Sequence, residues 1–434
     1  MALFRLRIET LSVLLSLGMS GTALANHLCV NPMGSSGCYT TIGAAVSAAL
    51  AGDEVDIGAG EYNEGVVITK PLSLVGAGAD ASIINAKGQA NGIYIDGLDN
   101  SGLFSVLVTG LTVSNANFEG ILVTNASSVV IAQNHVVGND QALNYAAGTC
   151  LNQPAFETNE GMDCGEGIHL VGVTFATIAN NEVEMNSGGI LLSDETGQTY
   201  ENVITSNSVH DNALDCGITL ASHAPSPQAS SKIPYGVFSN TISNNSVMRN
   251  GLVGAGAGVG IFAPGPGNLA FSNKVIGNVI MNNGQPGVTV HNHAVAPGAP
   301  SPNLNGNVIM HNYIAGNHAD TGQTATPGTA GINIFSLAPI YAMEISENTI
   351  QDEDNDVVFN SPGALDVHLN NLLGSGTGVA DLGDGQVNAT INYFGCPGGP
   401  GTAGCTKING VPVNSSAPLG TPVGSAPTGP RKSL

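Results

Sequence analysis

One short phrase recurs along this chain and limits what it can fold into more than any other feature. It reads Asn, any residue, an aliphatic residue, two variable residues and Asn. After a gap comes Gly, an aliphatic residue, a variable residue and a second aliphatic residue. NEVEMN at 181–186 runs directly into GGILL, and NSVHDN at 207–212 is followed by GITL at 217. Further copies are NHVVGN at 134, NSVMRN at 245, NVIMNN at 278, NYIAGN at 312 and a decayed NTIQDE at 348. Their partners are GIHL at 167, GIFA at 260, GVTV at 287, GINI at 331 and DVVF at 356.

The first Asn residues stand at 134, 181, 207, 245, 278, 312 and 348, so the shortest separation is 26 residues and the longer ones are the same unit carrying a loop. Aliphatic residues alternate with period two inside each unit, which predicts short strands. A unit of about two dozen residues with three short strands is one coil of a parallel β-helix. A propeller blade would be longer and antiparallel, and the Leu/Asn spacing of a leucine-rich repeat is absent. In stacked coils each Val or Ile lies over its equivalent in the core. The repeated Asn is expected at a tight turn, in the left-handed conformation, hydrogen-bonded to the Asn above and below. The fold class is therefore all-β: a single parallel β-helix preceded by a short capping helix.

Composition narrows partners and compartment. The 434 residues carry a net charge of −22 with only ten Lys plus Arg, which excludes the basic footprint of a nucleic-acid binder. Abundant oxygen ligands make Ca²⁺ the cofactor to consider. Residues 1–25 read as a signal peptide: Arg5 and Arg7, an apolar run from Leu11 to Leu17, then Ala23-Leu24-Ala25. That run is too short to span a membrane, so a secreted protein without membrane insertion, working as a monomer, is expected. Six of the seven Cys fall in close pairs, Cys29 with Cys38, Cys150 with Cys164 and Cys396 with Cys405. Pairing of Cys164 with Cys216, leaving Cys150 free, remains an alternative. Residues 26–53 form the N-terminal cap, with an amphipathic helix in 39–53 started by Thr40 or Thr41 and ended at Gly52. The β-helix occupies 54–411, and the Pro/Ser/Gly-rich 412–434 is expected to be a disordered tail.

The opening LCVNPMGSSGCYTTIGAAVSAALAGDEVDIGAGEYNEGVVITKPLSLVGAG resembles that of secreted right-handed parallel β-helix proteins of the pectin-lyase-like superfamily. The ending INYFGCPGGPGTAGC at 391–405 is similar to theirs, with Phe394 where Trp is usual. The resemblance covers nearly all of 27–412 and implies the right-handed fold. It further implies that an extracellular polysaccharide lies along one strand ladder, and leaves open whether the chemistry is hydrolysis, elimination, epimerisation or none.

The variable residue of Gly-Ile-x-Leu points outward. Stacking gives the ladder Tyr94, Leu122, His169, Leu191, Thr219, Phe262, Thr289, Asn333 and Val358, with long loops on both sides as groove walls. Candidate catalytic residues cluster there: Asp163 and Glu166 lead into the His169 coil, Asp194 leaves the next, and Asp215 leads into the third. Two coils separate Glu166 from Asp215, roughly 9.6 Å from the strand spacing, near the upper end of the carboxylate separation of inverting glycosidases. His169 supplies acid or base near neutral pH. Glu195, Thr219, His223, Phe262 and Asn333 are the candidate substrate contacts. Asp352, Asp354 and Asp356, two apart on a turn, are the candidate Ca²⁺ ligands. Asp381 with Asp384 forms a second acidic pair, and His291 with His293 an H-x-H pair. No Lys or Arg stands on the ladder, which disfavours a uronate lyase. Glycosidase-like carboxylate chemistry is the expectation, with non-catalytic binding of polysaccharide or protein as the alternative.

Overall fold

The computed structural model describes residues 25–156, 164–227, 231–322, 326–410 and 412–429. Each coil contributes one strand to each of three long parallel sheets, as in Thr177–Ala179, Glu182–Glu184 and Gly188–Ser193. The first sheet has 14 strands, from His27–Val30 to Val413–Asn414. The second has 11, from Gly60–Tyr62 to Asn371–Leu373, and the third 12, from Val66–Ile68 to Lys407–Asn409. The strands are only a few residues long, and most inward positions are Val, Ile, Leu or Ala, with Tyr62, Met343 and Phe359 among the exceptions. Ile178, Val183 and Ile190 of one coil lie over Ile204, Val209 and Ile218 of the next. All six are essentially buried, and each such side chain contributes about 1.5–3 kcal/mol.

The repeated Asn residues build three internal ladders. Nine run from Asn134 through Asn181, Asn207, Asn245, Asn278, Asn312, Asn348 and Asn370 to Asn392; from Asn181 onward each Oδ1 accepts from the backbone N–H and the side-chain amide of the Asn before it. A second ladder runs from Asn139 to Asn317 and closes on Glu353, whose Oε1 takes the two bonds that an Asn would take. A shorter third joins Asn202, Asn240 and Asn273 to Asn307. The left-handed conformation expected of the ladder Asn belongs instead to the residue before it: Gln133, Asn180, Ser206, Asn244, Gly277, His311, Glu347, Leu369 and Ile391 all have φ between 51° and 70°. That residue makes the corner, and the Asn behind it turns its amide into the coil.

The helix is shorter than the expected 39–53, running over Ile42–Ala48 with Thr41 as N-cap. Side chains of the first coil hold both ends. Glu64 accepts from the N–H groups of Ile42 and Gly43, and the Lys70 ammonium donates to the carbonyls of Val46, Ser47 and Ala49. Lys70 thus stops the helix before Gly52 is reached. The disulfides are Cys29–Cys38, Cys150–Cys164 and Cys396–Cys405, with Cys216 free and buried. The C-terminal segment differs from the expected disordered tail. Val413–Asn414 extends the first sheet, and Val423 is buried, exchanging hydrogen bonds with the side chain of Asn371.

Candidate active site

The third sheet carries the outward row. Strand register aligns Tyr94, Leu122, His169, Leu191, Thr219, Gly260, Thr289, Asn333 and Val358. Phe262 is therefore not on this row; it pairs with Ala221 and His291, one outward position further on. The stretch Gly258-Val259-Gly260-Ile261 offers two Gly-aliphatic steps, and the motif glycine is Gly258, not Gly260. A slip of two residues keeps every side chain on its face and moves it one rung. The row is also less open than a groove requires. From Leu122 to Val358 its side chains are at most 4% exposed, whereas Tyr94 is half-buried.

Around His169 the buried polar groups converge. Its Nδ1 lies 3.0 Å from Glu119 Oε1 and 3.7 Å from Glu166 Oε2, and its Nε2 lies 2.8 Å from Ser193 Oγ. Glu119 and Glu166 occupy the same place in adjacent coils, because each precedes the Gly-Ile that enters the third sheet. One donor atom each from Glu119, Glu166 and His169 lies within 4.8 Å of the other two. Next to Glu166, Gly188 supplies a gap: a Cβ there would come within 3.0 Å of Glu166 Cγ and 3.4 Å of Asp215 Cβ. The Glu166 Cγ and the Asp215 Cβ thus both lie against Gly188.

The other candidates do different work. Asp194 is fully buried and accepts from the N–H groups of His223 and Gly236 and from the Ser222 hydroxyl. It staples the loop that leaves the third sheet. Glu195 Oε1 pairs with His223 Nδ1 at 2.6 Å, both buried. Asn333 donates to His291 Nε2 at 3.3 Å, which places it beside His291 and Thr289 in a separate cluster, and Thr219 is buried on the row. Asp163 lies outside the described residues. The proposed Ca²⁺ turn does not assemble. Asp352 is exposed against Gln351, Asp354 faces Thr329, and Asp356 is buried and accepts from Gly374. The rings of His291 and His293 are 5.6 Å apart, while His311 pairs with Glu347 on another sheet.

Burial sets the charge states. It pushes the Glu119 carboxyl up to about 8, with the Glu195 charge adding to the rise. Asp140 also rises to about 8 by burial, although the Cys164 amide bonds it; Ser187 Oγ is its other partner. Burial likewise raises Glu195, but the His223 imidazole, with His169 and Ser193, outweighs it and brings the group down to about 2. Neighbouring carboxyls are thereby driven apart in acidity, the condition for one to hold a proton while another is ionised. Glu119 and Asp140 escaped the sequence reading. Glu119 left a signal, since Glu-Gly-Ile occurs at 119–121 and again at 166–168.

Two family descriptions match this chain. That of the right handed beta helix region matches residues 74–233, and that of the periplasmic copper-binding protein NosD matches 155–336. The chain folds as a right-handed parallel β-helix. Solved β-helices that this one resembles include the catalytic domain of a GH87 α-1,3-glucanase in complex with tetrasaccharides, at 13% identity and a TM-score of 0.51, covering 94% of this chain and 70% of that one. Alginate lyase from Paenibacillus sp. matches at 12% identity, TM-score 0.45, covering 86% and 96%. The A-module of Azotobacter vinelandii mannuronan C-5 epimerase AlgE6 matches at 16%, TM-score 0.47, covering 88% and 94%. At these identities the likeness is one of fold. No curated protein sequence matches the chain. Among the described residues no helix is long and apolar enough to cross a membrane.

Proposed function

We propose that this β-helix is exported by its first 25 residues and, as a monomer outside the cytoplasm, binds a polysaccharide across the third sheet and hydrolyses it. The observation that supports the reading is that the side chains of Glu166 and Asp215 both pack against Gly188, beside the Glu119–His169–Ser193 chain. Hydrolysis of a glycosidic bond needs one carboxyl to protonate the leaving oxygen and a second to activate water or attack. Glu166, near the His169 ring, is assigned the acid and Asp215, nearer solvent, the base or nucleophile. His169 positions Glu166. The oligosaccharide-bound α-1,3-glucanase of the same fold supports the substrate class. Hydrolysis is favoured over elimination because no Lys or Arg stands on the outward row from Tyr94 to Val358 to neutralise a uronate.

Burial of Leu122, Leu191 and Thr219 on the same row favours a second reading, in which the protein binds a polysaccharide or protein partner without turnover. Glu166→Gln and Asp215→Asn separate the two. Under the hydrolytic reading each lowers turnover about 10²–10⁴-fold while far-UV circular dichroism is unchanged. Wild-type turnover in both variants would rule out this carboxyl pair.

A further inference from the structure

Three carboxylates, Glu119, Glu166 and Glu195, are buried around His169 and His223, at 1%, 4% and 1% exposure. The ion pairs described for them are all with imidazoles. Among the described residues, Glu119 Oε2 and Glu195 Oε2 are buried without a hydrogen-bond partner. The group packed against Glu119 Oε2 is Gly165, which has no side chain to bond it. An orphaned carboxylate oxygen this deep is costly unless a proton or a cation satisfies it.

We infer that Glu119, Glu166 and His169 form a binding site for one borderline divalent transition cation, Zn²⁺ or Mn²⁺. The geometry suits such an ion. Bonds of about 2.0–2.2 Å to nitrogen and oxygen in a tetrahedral shell put ligand atoms roughly 3.4 Å apart. His169 Nδ1 lies 3.0 Å from one carboxylate oxygen and 3.7 Å from the other, which brackets that separation. Ser193 Oγ on Nε2 fixes the ring so that Nδ1 faces both carboxylates, the usual role of an outer partner of a metal-bound imidazole. One imidazole with carboxylates suits Zn²⁺ or Mn²⁺ better than Ca²⁺, which takes an all-oxygen shell, or Cu⁺, which takes sulfur. With the cation bound, Glu166 is held on the metal and cannot be the general acid, so the cation-bound and hydrolytic states exclude one another, and Asp215 is the carboxyl left free. Binding is read without substrate, so its failure and failure of the hydrolytic reading are separate results.

The test is calorimetric titration of chelator-treated full-length protein with ZnCl₂ and with MnCl₂, backed by elemental analysis of the untreated protein. One equivalent is expected for at least one of the two ions. His169→Gln and Glu119→Gln should weaken it more than about 10-fold, the lower bound for loss of even an outer partner. His210→Gln is the control, because the half-buried Glu182–Glu184–His210 group also brings three donors together. Should the first two variants not fold, Ser193→Ala removes only the orienting hydroxyl and should weaken binding about 10-fold. No equivalent in the wild type, or an equivalent lost in His210→Gln and unchanged in His169→Gln, would overturn the site.

Discussion

Removing one rung of the Asn ladder tests how much of the fold these amides hold. Asn207 is 2% exposed. Its Nδ2 donates to the Ile178 carbonyl at 2.9 Å and to Asn245 Oδ1 at 3.0 Å. Its Oδ1 accepts from the backbone N–H and the side-chain amide of Asn181 at 2.9 and 3.0 Å. In Asn207→Ala three of the four partners keep another bond: Asn181 Nδ2 still reaches the Ile131 carbonyl, Asn245 Oδ1 still accepts from the Asn207 N–H, and the Ile178 carbonyl keeps its place in the parallel ladder with the strand of Val203–Thr205. The Asn181 N–H is left buried and unpaired. At about 1–3 kcal/mol for that donor, the loss is about 2 kcal/mol, a sizeable share of the 5–15 kcal/mol typical of a domain. Asn207→Asp costs more near neutral pH, because an ionised carboxylate then faces the Ile178 carbonyl and Asn245 Oδ1 with no donor. Its native-state pKa is raised, so its deficit shrinks as pH falls and the protonated carboxyl regains an O–H to donate. Urea unfolding near neutral pH and near pH 4.5 reads both effects. An alanine variant within about 1 kcal/mol of wild type, or an aspartate variant no better in acid, would refute the ladder as a source of stability.

Three further outcomes follow from the same structure. Burial raises Glu353 from 4.5 to about 7, so the native state keeps a proton that the unfolded chain loses, and stability falls as pH rises from about 4.5 to about 7; Glu353→Gln should remove about 3 kcal/mol of that fall in urea midpoints across this range. Replacing both Cys150 and Cys164 by Ser opens a loop of sequence separation 14 and should cost about 3 kcal/mol in the same assay. Lys70→Met strips three carbonyls at the end of the N-terminal helix of their donor and should lower thermal stability, with helix Ile42–Ala48 exchanging amide hydrogens faster.

The coil architecture was legible because a short repeat forces every coil to solve the same packing problem. Val or Ile at alternate positions and Asn at one corner suffice to define the stack. What the pattern did not carry was the rung at which a strand begins. Gly258-Val259-Gly260-Ile261 satisfies the motif twice, and only the neighbouring strands choose between the two settings. The conformation of the corner was misplaced for a related reason: the hydrogen bonds favour Asn, while the strain falls on the residue before it, which can be Ser, Glu or even Ile391. The stacking of Glu166, His169 and Asp215 in nearby coils could be read by counting coils. Glu119 was passed over although it repeats the Glu166 context, and Asp194 has oxygens that accept from backbone amides. Charge alone does not tell a carboxylate that waits for a ligand from one that closes a loop.

The measurement closest to the central claim is an activity screen of the mature chain on a panel of polysaccharides, including an α-1,3-glucan, with reducing ends and ultraviolet absorbance followed together. The account predicts new reducing ends without absorbance, lost in Glu166→Gln and in Asp215→Asn. Absorbance from unsaturated uronates would contradict it, as would polysaccharide binding with no cleavage of any polymer.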